Sequence, residues 1–172
     1  EDELEKTESG KANESKEETL LPVEKKGEVG LANNEGDTVS IAVKAENLPG
    51  KVNELVVTDL NEDEEGVAFG NALVASNYAD WTVTNLMVNI TPKDIDGKTV
   101  QPSGAVRVTI SDLSQLSIGT ESISEWKVLH LTKNNEIEAL NVENTTTAVD
   151  SYGNTVLNSI TFEPTSFSPF VV

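Results

Sequence analysis

This 172-residue sequence contains no cysteine and only one histidine, His130. Without cysteine the chain has no disulfide, no thiol nucleophile and no cysteine-based zinc site, and a single imidazole excludes a multi-histidine metal site. A Ser-His-Asp triad would depend on that one ring. The sequence also lacks any apolar run near the ~20 residues of a membrane-spanning helix, so we expect no membrane insertion.

Basic residues are scarce, because 12 lysines and arginines stand against 30 aspartates and glutamates, for a formal net charge of −18. A chain of this charge repels phosphate, which excludes nucleic acid and disfavours an anionic membrane surface. The four Phe, two Tyr and two Trp are too few to line the cleft that would accompany a glycosidase carboxylate pair. The sequence shows no arrangement of side chains typical of a catalytic site, so we assign no catalytic residue. We also predict no cofactor and expect a protein that is not an enzyme.

Residues 1–35 differ in composition from the rest of the chain. They hold 11 acidic residues, five lysines and no aromatic residue, so they bury too little apolar area to offset the entropy of ordering. We predict a flexible acidic linker or tail here, with a short strand near Glu28–Leu31 as the alternative. The opening Glu-Asp-Glu has no basic region before an apolar stretch, so we expect a mature fragment without a signal peptide.

From residue 36 onward apolar and polar residues alternate with a period of two. This alternation is typical of strands with one buried and one solvent-facing side. It is clearest in four segments, Val39–Val43, Leu86–Ile90, Val106–Ile110 and Val156–Phe162. Val128–Leu131 is apolar on both parities, which indicates a strand covered on both faces. We therefore predict an all-β fold, an antiparallel β-sandwich of about 7–9 strands, over residues 36–172.

Turn residues separate these segments. Leu48-Pro49-Gly50 ends the first strand, and Asp94–Lys98 predicts a hairpin turn with Gly97 at a positive φ. Lys133–Glu136 and Tyr152–Asn154 predict two further tight turns.

Four later motifs follow one another in a set order. They are Asp94-Ile95-Asp96-Gly97-Lys98, Pro102-Ser103-Gly104-Ala105-Val106, Val128-Leu129-His130-Leu131 and Phe167-Ser168-Pro169-Phe170. The series resembles a β-sandwich module of wall-anchored, adhesin-type surface proteins of Gram-positive bacteria, which ends in a Phe-Ser-Pro-aromatic motif. The resemblance covers about residues 39–172.

The resemblance implies a secreted protein that is extracellular, at the cell surface or in the cell wall of a bacterium. It implies a non-catalytic structural or spacer module, whose partners are neighbouring domains of the same surface protein. The alternative is an adhesive binding module for a host protein, a glycan or a divalent cation.

The closing motif is also distantly similar to the self-cleaving sandwich module of ankyrin and death-domain scaffold proteins. In that module a serine that follows His-Phe attacks the preceding carbonyl. Here Ser166 stands in place of that histidine, so the base that would activate Ser168 is missing, and Pro169 restricts the turn further. We therefore predict no self-cleavage and assign Ser168 a turn hydrogen bond.

Trp81 and Tyr78 are the possible ligand contacts, because aromatic side chains with a polar edge recur at recognition surfaces. Tyr78 lies within Asn71–Ala79 and Trp81 shortly after it, and this segment fits either a short helix or a strand ending at Trp81. Trp126 is predicted to belong to the core instead.

The three phenylalanines of the closing segment and the one histidine are given structural roles, whereas Tyr152 remains a further possible contact. Phe162 and at least one of Phe167 and Phe170 are predicted core anchors, because Phe162 ends an alternating run and the other two flank the closing turn. His130 points opposite to its two leucine neighbours on a strand, so we predict a structural histidine.

The acidic run that starts at Asp59 begins with oxygen ligands at the spacing of an EF-hand calcium loop. The sixth position is Glu64 instead of glycine and the twelfth is Gly70 instead of glutamate, so the pattern fails. Asp94 and Asp96 precede a glycine and are predicted turn formers. We therefore predict no functional metal and assign no metal ligand.

A Lys–Asn isopeptide crosslink, which some stalk modules of such surface proteins carry, is a further alternative. Lys44 and Lys127 lie in strand-like segments, and Asn158 shares the parity of apolar neighbours. The crosslink requires a lysine buried beside Asn158, whereas the simpler interpretation places both lysines on a solvent-facing side.

Overall fold

The computed structural model describes residues 20–33, 35–102, 104–167 and 169–172. These residues form ten strands, one α-helix and one 3-10 turn. In chain order the elements are β1 Val23–Ala32, β2 Thr38–Leu48, β3 Glu54–Asp59, α1 Glu64–Val74, β4 Met87–Lys93, β5 Arg107–Ser111, the 3-10 turn Leu113–Leu116, β6 Val128–Leu131, β7 Ile137–Leu140, β8 Val142–Val149, β9 Thr155–Phe162 and β10 Pro169–Val171.

The strands form two antiparallel five-stranded sheets with a shared hydrophobic core. Sheet one has the strand order β1-β2-β5-β9-β8, and sheet two has the order β3-β4-β10-β6-β7. Alternate side chains of both sheets point inward and form the inner core, which includes Ile41, Val43, Ile90, Val108, Ile110, Ile160 and Phe162. The predicted antiparallel β-sandwich is confirmed, with ten strands in the described residues against the 7–9 expected.

β1 lies inside the range that the sequence predicted to be a flexible linker. It pairs with β2 along its length, and two of its apolar side chains are buried in the inner core. The linker prediction is therefore wrong for Val23–Ala32, and the sandwich begins near residue 23 instead of 36. The alternative, a short strand near Glu28–Leu31, correctly predicts a strand here, but β1 is longer. The rest of the linker prediction, for residues 1–19, lies outside the described residues.

Sheet two is covered on its outer face as well, by helix α1. Phe69 and Leu73 of α1 are buried together with Leu129, Leu131 and Val171 of the sheet, and these five residues form the outer core. Because β6 contributes to both cores, all four of its residues are buried. The apolar run on both parities had predicted this double coverage.

α1 begins seven residues before the segment Asn71–Ala79 that the sequence offered as a short helix or a strand. Asp63 caps it, because its carboxylate accepts a hydrogen bond from the Glu64 amide at 2.7 Å. Two glutamates in the first turn stabilise the positive end of the helix dipole. Within the described residues, no helix has the length and apolar character that crossing a bilayer requires.

Three hairpin turns share one five-residue pattern. In Asp94–Lys98, Thr132–Glu136 and Asp150–Asn154 the first amide donates to the fifth carbonyl, and the fourth amide donates to the first carbonyl. The fourth residue has a positive φ and is glycine in two turns and asparagine in the third. In each turn the first side chain accepts a hydrogen bond from a backbone amide of the turn. The sequence predicted all three turns from these residue types.

The two ends of the sandwich are occupied by different parts of the chain. β1 runs from Val23 at one end to Ala32 at the other. Val172 lies at the Ala32 end, because its carbonyl accepts a hydrogen bond from the amide of Thr84, and the next side chain, Asn85, donates to the Ala32 carbonyl. We call the end with Val172 the C-terminal pole and the end with Val23 the N-terminal pole.

Candidate functional site

A cleft of about 890 Å³ opens at the C-terminal pole. Its walls are two loops, residues 80–85 between α1 and β4, and residues 117–127 between the 3-10 turn and β6. Both tryptophans of the chain line the cleft, Trp81 from the first loop and Trp126 from the second. A concave site of this volume, with aromatic rings and a few polar groups, has the character of a ligand site.

The loop of residues 80–85 is hydrogen-bonded to both sheets. The amide and the hydroxyl of Thr84 both donate to the carbonyl of Val172, each at 2.9 Å. The side chain of Asn85 donates to the carbonyl of Ala32 at 2.7 Å. Because these bonds join the loop to the ends of β10 and β1, they position the backbone near Trp81 before any ligand binds.

Trp81 is held from two sides, yet 36% of its surface stays exposed. The ring of Tyr78 lies edge-on to it, with the ring centroids 6.0 Å apart. Nζ of Lys127 lies 5.4 Å from the Trp81 ring centroid, which is a cation–π distance. Lys127 is itself paired with Glu125 at 3.1 Å. The indole is therefore preorganised while part of its surface remains available to a ligand.

Tyr78 does not line the cleft. It is half-buried and packs against the outer core. The two contact residues that the sequence proposed therefore touch each other, but only one of them lines the cleft. Trp81 lies in the cleft wall and stays a candidate contact. Tyr78 packs edge-on against the Trp81 ring and supports it.

Trp126 combines the predicted core role with a second one. It is partly buried against the inner core, and it also lines the cleft. The sequence analysis weighed Trp126 as a possible contact but assigned it to the core, and it did not offer Glu125 or Lys127 as ligand contacts. The available signal was a tryptophan between two opposite charges in a segment without strand alternation. Nothing in the sequence indicated that this segment would face Trp81.

The cleft carries a small excess of negative charge. Asp80 and Glu125 line it together with a single cation, Lys127. Three exposed residues add hydroxyl groups to the same walls: Thr82, Ser122 and Ser124. The arrangement offers flat aromatic surface, hydrogen-bond donors and hydrogen-bond acceptors, but no strong positive field.

His130 lies away from the cleft, on β6, with 4% of its surface exposed. Its ring is stacked on Phe170 of the inner core, with centroids 5.2 Å apart. Burial lowers the pKa of His130, and the negative charge of Glu138 opposes this with a smaller effect. A buried, neutral imidazole agrees with the predicted structural role and places the chain's one imidazole outside the cleft.

The phenylalanines near the C-terminus are core residues. Phe162, Phe167 and Phe170 are all buried, and the rings of Phe162 and Phe167 lie 5.4 and 6.4 Å from that of Phe170. The prediction that Phe162 and at least one of the other two anchor the core is confirmed. The turn role assigned to Ser168 falls outside the described residues.

Two carboxylates of the run that resembles a calcium loop accept hydrogen bonds from backbone amides. Asp59 accepts hydrogen bonds from the amide and the side chain of Asn61, at 2.9 and 2.7 Å, and Asp63 caps α1. Asp94 accepts from two amides of its own turn, as its position before a glycine predicted. In the part of the chain that the structure describes, no group of three or more His, Asp or Glu side chains is placed to hold a metal ion.

The two lysines of the crosslink hypothesis pair with carboxylates at the surface. Nζ of Lys44 lies 3.7 Å from Glu46, and Nζ of Lys127 lies 3.1 Å from Glu125. Their side chains are 38% and 28% exposed. An isopeptide bond requires a buried lysine beside Asn158, so this geometry does not support the crosslink.

A cluster of charges lies between β2, β5 and β8 in sheet one. Arg107 is 3.9 Å from Glu46 and 3.1 Å from Glu143. A hydrogen bond with Glu143, reinforced by the negative charge of that residue, raises the pKa of Glu163. These groups are exposed to solvent, so water and salt screen their interactions and the cluster contributes little to stability.

Comparison with known proteins places the chain in no family. No protein-family model matches the sequence, and neither the curated proteins nor the solved structures give a significant match. Function is therefore argued from the geometry of this chain.

Proposed function

We propose that this domain is a non-catalytic structural module of a bacterial extracellular surface protein, where it acts as a spacer between neighbouring domains. The observation that carries this proposal is the position of Val23 and Val172 at opposite poles. β1 has ten residues, so it separates the poles by about 30 Å. A chain that continues past both positions would enter at one end of the sandwich and leave at the other, which suits a linear array of domains.

The edges of sheet one support the same role. The edge strand β1 carries charged residues, among them Lys25 and Lys26, and β8 at the other edge has two register irregularities against β9. Charges and bulges at sheet edges prevent strands of neighbouring molecules from pairing. A module repeated along a crowded cell surface requires this protection.

Small-angle X-ray scattering on a tandem protein tests the spacer role. Two copies are joined so that residue 172 of the first precedes residue 1 of the second, and the maximum dimension is compared with that of one copy. We expect the dimension to grow by roughly 30 Å or more, because the copies extend end to end. A tandem protein with nearly the dimension of one copy would contradict the spacer role.

Surface labelling tests the location. An antibody raised against the folded domain should label intact cells of the source bacterium, and protease treatment of those cells should remove the signal. Labelling that appears only after the cells are broken would contradict an extracellular module.

A second candidate function, adhesive binding, is favoured by the cleft at the C-terminal pole. A purely structural module has no need for a preorganised, partly exposed tryptophan in a concave site. The fluorescently labelled domain is therefore tested on host-cell layers. We expect Trp81→Ala to lose most of the bound signal and Ile95→Ala to keep it, because Ile95 is 80% exposed and lies in the Asp94–Lys98 turn at the opposite pole. Equal binding by both variants and the wild type would exclude the cleft as an adhesive site.

A further inference from the structure

We propose that the cleft binds a neutral carbohydrate chain, with Trp81 and Trp126 as the surfaces on which sugar rings stack. This inference rests on the adhesive function proposed above and names the class of its ligand.

The aromatic surfaces carry the first part of the argument. The C–H face of a pyranose ring packs on an indole, and an immobilised indole loses little conformational entropy when it binds. Tyr78 and the Lys127–Glu125 pair hold the Trp81 ring in place, and Trp126 is held by its contact with the inner core. Because each wall carries one indole, the cleft offers two separate stacking positions to a chain of more than one sugar.

The polar groups of the walls match sugar hydroxyls. The hydroxyls of Thr82, Ser122 and Ser124 are exposed in the cleft and can each donate and accept a hydrogen bond. Glu125 adds acceptor oxygens and Lys127 adds donors. A sugar hydroxyl is both donor and acceptor, so it pairs with either kind of group without a net charge on the ligand.

Charge selects a neutral ligand over an anionic one. Asp80 and Glu125 outnumber Lys127 in the cleft, and the whole chain carries −18. A sialylated, sulfated or phosphorylated glycan would enter a repulsive field and would find only a lysine already paired with a carboxylate.

The backbone of the cleft favours a carbohydrate over an extended peptide. One common mode by which extended peptides bind is to add a strand to an open sheet edge, and both walls here are loops that offer no such edge. Val172, where β10 reaches the cleft, already donates its amide to Leu86 and accepts from Thr84. The cleft walls also offer aromatic and hydroxyl side chains, which suit ring stacking and hydroxyl contacts.

Titration calorimetry with defined oligosaccharides tests the inference. The neutral probes are chains of β1,4-linked glucose, β1,4-linked N-acetylglucosamine, α1,4-linked glucose and β1,4-linked galactose, and the anionic probe is sialyllactose. We expect at least one neutral probe to bind with a Kd on the order of a millimolar or tighter, and sialyllactose not to bind. Trp81→Ala should weaken binding about tenfold or more, Trp81→Phe should weaken it less, and Ile95→Ala, at the opposite pole, should leave it unchanged.

Two results would overturn the carbohydrate assignment. One is that no neutral probe binds at about ten millimolar. The other is that Trp81-dependent binding to host cells survives enzymatic removal of their glycans, which would identify a protein as the ligand. In either case the adhesive function still stands if Trp81→Ala abolishes cell binding, so the two proposals can fail separately.

Discussion

The two poles of the sandwich use their loops in different ways. At the N-terminal pole the hairpin Asp94–Lys98 joins its strands by a tight turn, whose hydrogen bonds are made between neighbouring residues. The C-terminal pole has an equally tight turn, Asp150–Asn154, but its loops 80–85 and 117–127 are longer, leave a concave space between them and place one tryptophan each in its walls. The buried residues of the two cores, which stabilise the scaffold, lie outside the cleft loops, and exposed loops on a rigid scaffold are where binding residues commonly occur.

This contrast has a direct energetic consequence. Substitutions in the cores should change stability and leave the cleft intact, whereas substitutions of exposed cleft residues should change binding and cost little stability. The following predictions test that separation, in order of decreasing effect on the free energy of unfolding.

Phe170→Ala should have the largest effect. Phe170 is buried, packs against the rings of His130, Phe162 and Phe167, and belongs to the short strand β10 at the centre of sheet two. Removing its ring should lower the free energy of unfolding by about 3–5 kcal/mol, measured by urea denaturation. An unfolding midpoint equal to that of the wild type would show that the ring cluster is not a core anchor.

Gly66→Ala should be the next most harmful change. A Cβ at Gly66 would overlap the carbonyl oxygen of Leu60, so the start of α1 must move away from the preceding turn. We expect a loss of about 1–3 kcal/mol, read from thermal unfolding.

Gly70→Ala is the matched control, because it lies in the same helix and its Cβ would meet nothing within 4 Å. It should raise the free energy of unfolding by about 0.5–1 kcal/mol through helix propensity. If both glycine variants shift stability in the same direction, the close contact of α1 with Leu60 is wrong.

The stability of the domain should depend on the protonation of His130. Burial lowers the pKa of this imidazole below its usual value of 6.5, so the unfolded chain binds the proton more readily. The stabilising effect is complete above pH 6.5 and is lost as pH falls from 6.5 toward the lower pKa of the folded state, with a slope of at most about 1.4 kcal/mol per pH unit.

Urea unfolding of the wild type and of His130→Phe measures this effect. Because the chain has one histidine, the variant should lose the slope between about pH 7.5 and 5.5, whatever its absolute stability. A variant with the same slope as the wild type would assign the pH dependence to other groups.

Asp94→Ala should have a smaller effect. Its carboxylate accepts hydrogen bonds from the amides of Asp96 and Lys98, each at 2.9 Å, in an exposed turn. Losing these bonds should cost about 1 kcal/mol, measured by thermal unfolding. Ile95→Ala is the control in the same turn, since Ile95 is 80% exposed and should tolerate the change. Equal losses of unfolding free energy for both variants would show that the hydrogen bonds accepted by Asp94 do not stabilise the turn.

The sequence predicted the sandwich and its turns for clear physical reasons. The alternation at Val39–Val43 and Val106–Ile110 indicates which side chains face a core. An aspartate shortly before a glycine indicates a tight turn, because the aspartate accepts hydrogen bonds from the turn and the glycine tolerates a positive φ. β1 was missed for two reasons. An edge strand with one buried side can carry charged residues on its other side, and the composition of residues 1–35 as a whole is too acidic to predict a folded segment. The start of α1 was missed because Asp63 and the two glutamates that follow look like ligands of a calcium loop.

The cleft could not be predicted from the sequence. Trp81 and Trp126 lie in irregular loops without a periodic pattern, and their distance is set by how β4, β10 and β6 pair. The sequence could identify Trp81 as a candidate because it borders polar residues. It could not show that Tyr78 supports that ring while Trp126 completes the site, since both facts depend on contacts between distant parts of the chain.

The separation of the cleft from the scaffold is tested most directly by urea unfolding of Trp81→Ala beside Phe170→Ala. Trp81 is 36% exposed and lies outside both cores, so we expect its removal to lower the free energy of unfolding by about 1 kcal/mol, against about 3–5 kcal/mol for Phe170→Ala. A loss for Trp81→Ala as large as that for Phe170→Ala would contradict the separation, because Trp81 would then be part of the scaffold.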